Sequence, residues 1–138
     1  MKELSELFQE IDYQGGEGFN ALVRFEGWRI AMNRCVKEAV IGENLKMGQH
    51  LCTDEVFVLL SGEATMLIAD GDEQPEKLHA IKMVPHRLYN VRKGVFHQLI
   101  PQFGAHLLIV ENDNTSPENS RNVGVSKQQL AEIIELLG

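Results

Sequence analysis

Between residue 19 and about residue 120 the chain consists of short strand-forming runs, and no helical periodicity interrupts them. The runs are 19–25, 28–33, 36–41, 56–60, 64–69, 77–84, 87–91, 95–100 and 106–110. They are rich in Val, Ile, Leu and Phe, and Gly, Asp, Asn or Pro punctuates most of them. Many short strands at near-regular spacing form a barrel or a sandwich, whereas βαβ units would need a helical pattern between them. Asp70-Gly71-Asp72 is a hairpin-type turn signal, and Ser61-Gly62-Glu63 is a second tight connection.

Helical patterns appear only at the two ends. Leu4, Leu7, Phe8 and Ile11 recur at i, i+3, i+4, i+7, which predicts an amphipathic helix over about 2–12. Tyr13-Gln14-Gly15-Gly16 should stop it, because paired glycines release the backbone to turn. Ser126-Lys127-Gln128-Gln129 fits a capping box, and Leu130, Ile133, Ile134 and Leu137 then share one face of a helix over 126–137. Both helices are expected to cover something else. The chain reads as a single domain over 1–138, with a β core over about 19–112.

With 138 residues, the chain can bury a core without disulfide staples. A formal charge of −7 argues against nucleic acid, whose phosphates call for a basic stripe. No apolar stretch approaches the roughly 20 residues that span a bilayer, so no membrane partner is expected. The acidic, periodic start does not resemble a secretory signal, which points to the cytoplasm. There the two cysteines, Cys35 and Cys52, would stay unpaired. The sequon Asn114-Thr115-Ser116 then carries no glycan.

The chemistry-bearing residues form two motifs. The first is Gly42-x5-Gly48-x-His50-x4-Glu55-x6-Gly62, and the second contains Gly94-x2-His97. Imidazole nitrogens and a carboxylate are ligands that divalent transition metals accept, and a two-histidine, one-carboxylate face leaves positions open. His50 and Glu55 flank the start of an apolar run, while His97 follows a glycine at the start of another, so all three are candidate ligands.

These motifs resemble the cupin superfamily, whose first motif carries His-x-His, a glutamate and a glycine, and whose second carries Pro-x-Gly-x2-His-x3-Asn. The resemblance covers roughly residues 28–111. It implies a double-stranded β-helix, the cupin jelly-roll barrel, an all-β fold with short N- and C-terminal helices here. It also implies that His50, Glu55 and His97 hold a divalent transition metal: Mn, Fe, Ni or Zn. Gly48 stands where the first histidine belongs, and His86, Arg92 and Pro101 replace the Gly, Pro and Asn of the second motif. Residues 49–62 and 89–97 resemble a subgroup of small cupins, mostly without an assigned reaction. They are also similar to ureidoglycolate lyase, as an analogy about the pocket.

Other residues carry two readings each. Trp28, Tyr89 and Asn90 are pocket-lining candidates, since Tyr and Trp join an apolar body to a polar tip; equally, aromatics of this kind fill small barrels. Cys52 is a second-rank pocket candidate or thiolate ligand two residues from His50, or a small buried hydrophobe. His106 alternates with Leu108 and Val110 and is read as a side chain that looks into the barrel, or as a satisfied histidine. His86 is a further candidate of that kind, whereas His79 sits in a polar stretch. Asp54 suits a turn, because it faces away from Glu55 on a strand. Arg24, Arg29, Arg34 and Arg92 are candidates for holding a substrate carboxylate. Residues 111–119 form an Asx-rich loop that could cross a barrel rim.

The expected function is a metal-assisted enzyme (lyase, isomerase or oxygenase in type) acting on a small polar carboxylate or sugar-like ligand. The alternative is a non-catalytic binding or sensor module. A homodimer is expected because sheet edges need cover, with 28–32 as the edge segment.

Overall fold

The computed structural model describes residues 1–13 and 15–138. The chain runs α1 (Leu4–Leu7), β1 (Gly18–Phe25), β2 (Trp28–Arg34), β3 (Lys46–His50), β4 (Glu55–Ser61), β5 (Ala64–Ala69), β6 (Leu78–Lys82), β7 (Leu88–Val91), β8 (Phe96–Pro101), β9 (His106–Asn112), a 3-10 turn (Pro117–Asn119), β10 (Ser120–Gly124) and α2 (Lys127–Leu137). The strands pair antiparallel in two sheets, ordered β1-β2-β9-β4-β7 and β10-β3-β8-β5-β6. Successive strands repeatedly cross from one sheet to the other, which makes the jelly roll.

Side-chain alternation then sorts the residues into layers. On the first sheet Ala31, Phe57, Leu59, Leu107 and Ile109 point inward and meet Ala64 and Met66 of the second. Behind the second sheet lies another core: Met47, Leu67, Ala69, Leu78 and Phe96 pack against Ile133 of α2. Ile133 is fully buried, so the C-terminal helix does cover the barrel. Ser126 caps it by accepting from the Gln129 backbone N–H at 3.1 Å.

Gly62 sits at the corner where β4 hands over to β5. Its φ is +83°, and a Cβ there would come within 2.7 Å of the Ala105 backbone, so only glycine fits.

Several expectations are corrected. The N-terminal helix is a single turn with no buried residue, and Leu4, Leu7, Phe8 and Ile11 are exposed. A helix this short is not stable by propensity alone, and nothing here packs on its apolar stripe deeply enough to extend it. Gln14, part of its expected stop, lies outside the described residues. Residues 36–41 have strand-forming side chains but form no strand, and Val40 is 90% exposed. Conversely, β3 and β10 form from polar, glycine-containing sequence, because each finds a pairing partner. The segment 28–32 is not an edge, since β2 lies between β1 and β9.

Candidate metal centre

The site is assembled from the inward rows at one end of the barrel. Glu55 starts β4 and is followed inward by Phe57 and Leu59; Glu111 lies near the end of β9, preceded inward by Ile109 and Leu107. His50 ends β3 and pairs with Ser120 of β10, while His97 lies in β8 and pairs with Gly48. The turn before β8 is tied to the same place: the Gly94 N–H donates to the His50 carbonyl at 2.8 Å, and Gln49 Nε2 donates to the Gly94 carbonyl at 2.7 Å. Strand alternation puts Phe96 under α2 and His97 into the barrel.

The three expected ligands converge. Glu55 Oε1 lies 3.1 Å from His50 Nε2 and 2.9 Å from His97 Nε2. One donor atom from each lies within 4.8 Å of the others. The far ring nitrogens are fixed by neighbours. His50 Nδ1 meets Ser120 Oγ at 2.8 Å, and His97 Nδ1 meets the Val95 carbonyl at 3.0 Å.

This arrangement makes a chemical demand. The Val95 carbonyl can only accept, so His97 Nδ1 carries a hydrogen. His97 Nε2 faces a carboxylate oxygen, also an acceptor, yet a neutral imidazole has only one N–H. The gap between Nε2 and Glu55 therefore calls for positive charge, as a proton or as a cation. The donor set fits a divalent metal: two imidazole nitrogens turned by hydrogen bonds at their far side, and one carboxylate. Burial works to raise the Glu55 pKa, but hydrogen bonds from His50 and His97 and the histidine charges overcome it and hold the carboxyl at about 2. The hydrogen bond to Glu55 raises His50 above 6.5, against its burial.

Two further residues belong to the site and were not singled out for it in the sequence. Glu111 is buried beside the cluster, its Oε2 lying 3.9 Å from His50 Nε2. Burial, and then the neighbouring Glu55 charge, raise its pKa against the opposing pull of Arg29. Arg29 holds its other oxygen at 2.7 Å through Nη2 and 3.2 Å through Nε. The remaining Arg29 donors reach the carbonyls of Asp113 and Thr115 at 3.4 and 3.3 Å, and its guanidinium lies over the Phe19 ring at 5.3 Å. Arg29 is thus a structural cation with four of its five N–H donors engaged. Ser120 is the other addition. A weak signal was present for Glu111 and Arg29 in the strand period, but register alone brings them opposite each other.

A cleft of about 320 Å³ opens onto the cluster, lined by His50, Glu55, Glu111 and Arg29 with Phe19 and Asn122. Thr115, Ser116 and Pro117 also border it, so the connection after β9 does reach the rim, although Glu111 and Asn112 of the expected loop belong to the strand.

The pocket candidates fare differently. Trp28 and Cys52 line a neighbouring surface cleft, which shares only Glu111 with the one at the cluster. Cys52 is exposed and follows the end of β3, where strand alternation no longer applies. Asn90 is exposed and donates to Asp54 at 3.1 Å, and with Tyr89 it lines a cavity of about 280 Å³ that none of the three candidate ligands borders. Asp54 also accepts from the Lys93 N–H at 2.7 Å, as its turn role predicts. Tyr89 packs on the core and its hydroxyl accepts from the Val84 N–H at 2.8 Å, away from the cluster. His106 shares the outward face of β9 with Leu108 and Val110, because Leu107, Ile109 and Glu111 take the inward one. His86 and His79 are exposed and Arg24 pairs with Asp113 at the surface, all of them outside the site.

No family model matches the sequence, and no curated protein matches it either. Solved structures do match in shape. The Streptomyces protein PAC13 with uridine superposes with a TM-score of 0.59 at 6% identity, over 88% of this chain and 98% of that one. Oxalate decarboxylase from Bacillus subtilis gives 0.55 at 17% identity, over 80% of this chain and 29% of that one. The cysteine peptidase Peruvianin-I from Thevetia peruviana latex gives 0.53 at 13% identity and 72% of this chain; the present chain spans 58% of its length. At such identities the shared property is the fold. By fold, then, the chain is a cupin-type jelly-roll barrel, as its two motifs led us to expect.

Proposed function

We propose that the chain is a metal-assisted enzyme in which His50, Glu55 and His97 hold a divalent transition metal (Mn, Fe, Ni or Zn) and a small polar ligand enters the adjoining cleft. The observation that carries this reading is the contact of His97 with Glu55 at 2.9 Å, where positive charge is called for and a metal supplies it as well as a proton does. When bound, such a metal supplies Lewis acidity or a water of lowered pKa. The protein residues do the rest. Val95 and Ser120 aim the imidazoles, the inward apolar rows keep bulk water from one side, and the Glu111–Arg29 ion pair lines the wall. In the cleft lining the Arg29 guanidinium has four of its N–H groups engaged by Glu111 and two backbone carbonyls, which leaves one on Nη1 and no two-pronged clamp for an anionic substrate. That favours the sugar-like, hydroxyl-rich half of the expected substrate range, or a carboxylate that reaches the metal itself. One of the similar structures bears the name of a decarboxylase, which supports catalysis on this fold.

The test has two steps. Elemental analysis of protein purified without chelators, and melting curves with added Mn, Fe, Ni or Zn, should show bound metal or a rise in Tm. Neither effect in any of the four would defeat the reading. A Glu55→Ala variant should then lose both metal and turnover; ligand binding that survives with no turnover in any form would leave a binding module instead.

A further inference from the structure

Resting on that metal reading, we propose that Glu111 is a fourth metal ligand, contributed by β9, which takes over the donor role that Gly48 cannot provide. Four observations converge on it. Among the described residues, Glu111 Oε2 is the buried side-chain oxygen or nitrogen with no hydrogen-bond partner. Leaving such an atom unsatisfied is costly, and a carboxylate oxygen costs more than a neutral group. The atom lies 3.9 Å from His50 Nε2, beside the group of three donor atoms that are within 4.8 Å of one another, so ligation needs the carboxylate to move inward on binding.

The way Arg29 holds the carboxylate is the second observation. An arginine that serves only as a salt-bridge partner tends to engage both oxygens as a fork. Here Nε and Nη2 both contact Oε1, and Oε2 is left for something else. Arg29 is thereby a positioning residue: it fixes the carboxylate in one orientation without occupying the inner oxygen.

Position 48 supplies the third. It lies opposite His97 across β3 and β8, and glycine there brings no side-chain donor to the cluster. Charge is the fourth. Two carboxylates, Glu55 and Glu111, face one guanidinium, Arg29, an excess of acidic groups that draws a cation. A divalent cation reverses that excess. Two imidazole nitrogens and two carboxylate oxygens make a harder donor set than a three-histidine one, and shift preference toward oxygen-tolerant ions such as Mn(II) and Fe(II).

The test uses Co(II) and Mn(II) titrated into wild type, Glu111→Gln, Arg29→Met and His97→Ala, in competition with a chromophoric chelator, together with the Co(II) visible spectrum. Glu111→Gln should weaken affinity about tenfold or more and change the spectrum, because the amide is a poorer ligand. Arg29→Met should weaken affinity by less, with the spectrum moved toward that of Glu111→Gln. Wild-type affinity and an unchanged spectrum in Glu111→Gln, with His97→Ala unable to bind, would overturn this inference alone. No metal binding by the wild type would overturn both it and the reading beneath it. Should Glu111→Gln fail to fold, Glu111→Asp, which keeps the charge but withdraws the oxygen by one methylene, must show the same weakening; wild-type behaviour in that variant also overturns the proposal.

Discussion

The two ends of the barrel interior are built from the same strands and differ in every physical respect. Read inward along β4, the side chains are Glu55, Phe57 and Leu59; along β9 in reverse they are Glu111, Ile109 and Leu107. The register sets Phe57 opposite Ile109 and Leu59 opposite Leu107. At the dry end, Leu59 and Leu107 are fully buried among Ala64, Met66 and Ala105. At the wet end, two carboxylates, two imidazoles and a guanidinium share a comparable space. The dry end is held by apolar area, at about 1.5–3 kcal/mol for each fully buried large side chain. The wet end is held by hydrogen bonds that leave one oxygen unpartnered and one histidine needing a positive charge. One pair of strands therefore gives stability at one end and a charged, incompletely satisfied arrangement at the other.

Variants at each end should separate these roles. Leu107→Ala is expected to destabilise the fold by about 2–5 kcal/mol in denaturant melts, while leaving metal affinity per folded molecule close to wild type. A loss of affinity as large as the loss of stability would show that the ends are not independent. His97→Ala should do the reverse, lowering metal affinity by more than about a hundredfold in chelator competition, since changes to outer partners alone cost about 10–100-fold. Ser120→Ala removes the Nδ1 partner of His50 and should cost about tenfold in the same assay, with metal-free Tm nearly unchanged.

The smallest effect is the most diagnostic. In metal-free protein Glu55 is held at about 2 against its usual 4.5, so its contribution is present above 4.5 and is lost as pH falls toward 2. His50 is held above 6.5, so its contribution is full below 6.5 and is lost as pH rises through the raised value. Glu111, raised above 4.5, also loses stability as pH climbs from that point. Metal-free Tm should therefore be a few degrees higher near pH 5.5 than near pH 8. Saturating metal should reverse the order, because metal competes with protons for the imidazoles. Parallel pH profiles with and without metal would remove the cation from the account of the wet end.

How much of this could be read in advance depended on sequence distance. His50 and Glu55 lie five residues apart on either side of a strand start, and His97 follows a glycine turn, so their motifs were visible. Their partners were not. Arg29 and Glu111 are 82 residues apart, and Ser120 is 70 from His50, so each contact exists only through strand pairing. His106 shows the same limit from the other side: its alternation with Leu108 and Val110 gives the period, and only the folded sheet puts all three on the outward face. A period of two cannot say which face is inside until a neighbouring sheet is present. Trp28 and Cys52 fell outside the site for related reasons. One takes the outer face of β2, and the other sits past the end of β3.

The sequence by itself determined the β-rich architecture, the C-terminal helix and the three residues that converge on one point, because alternation, caps and short motifs are local properties of the chain. Tertiary structure alone decided that Lys46–His50 and Ser120–Gly124 become strands, that residues 36–41 do not, and that Glu111 and Arg29 complete the site. The physical reason is that a strand gains its hydrogen bonds, and a buried charge its partner, only from residues far away in sequence.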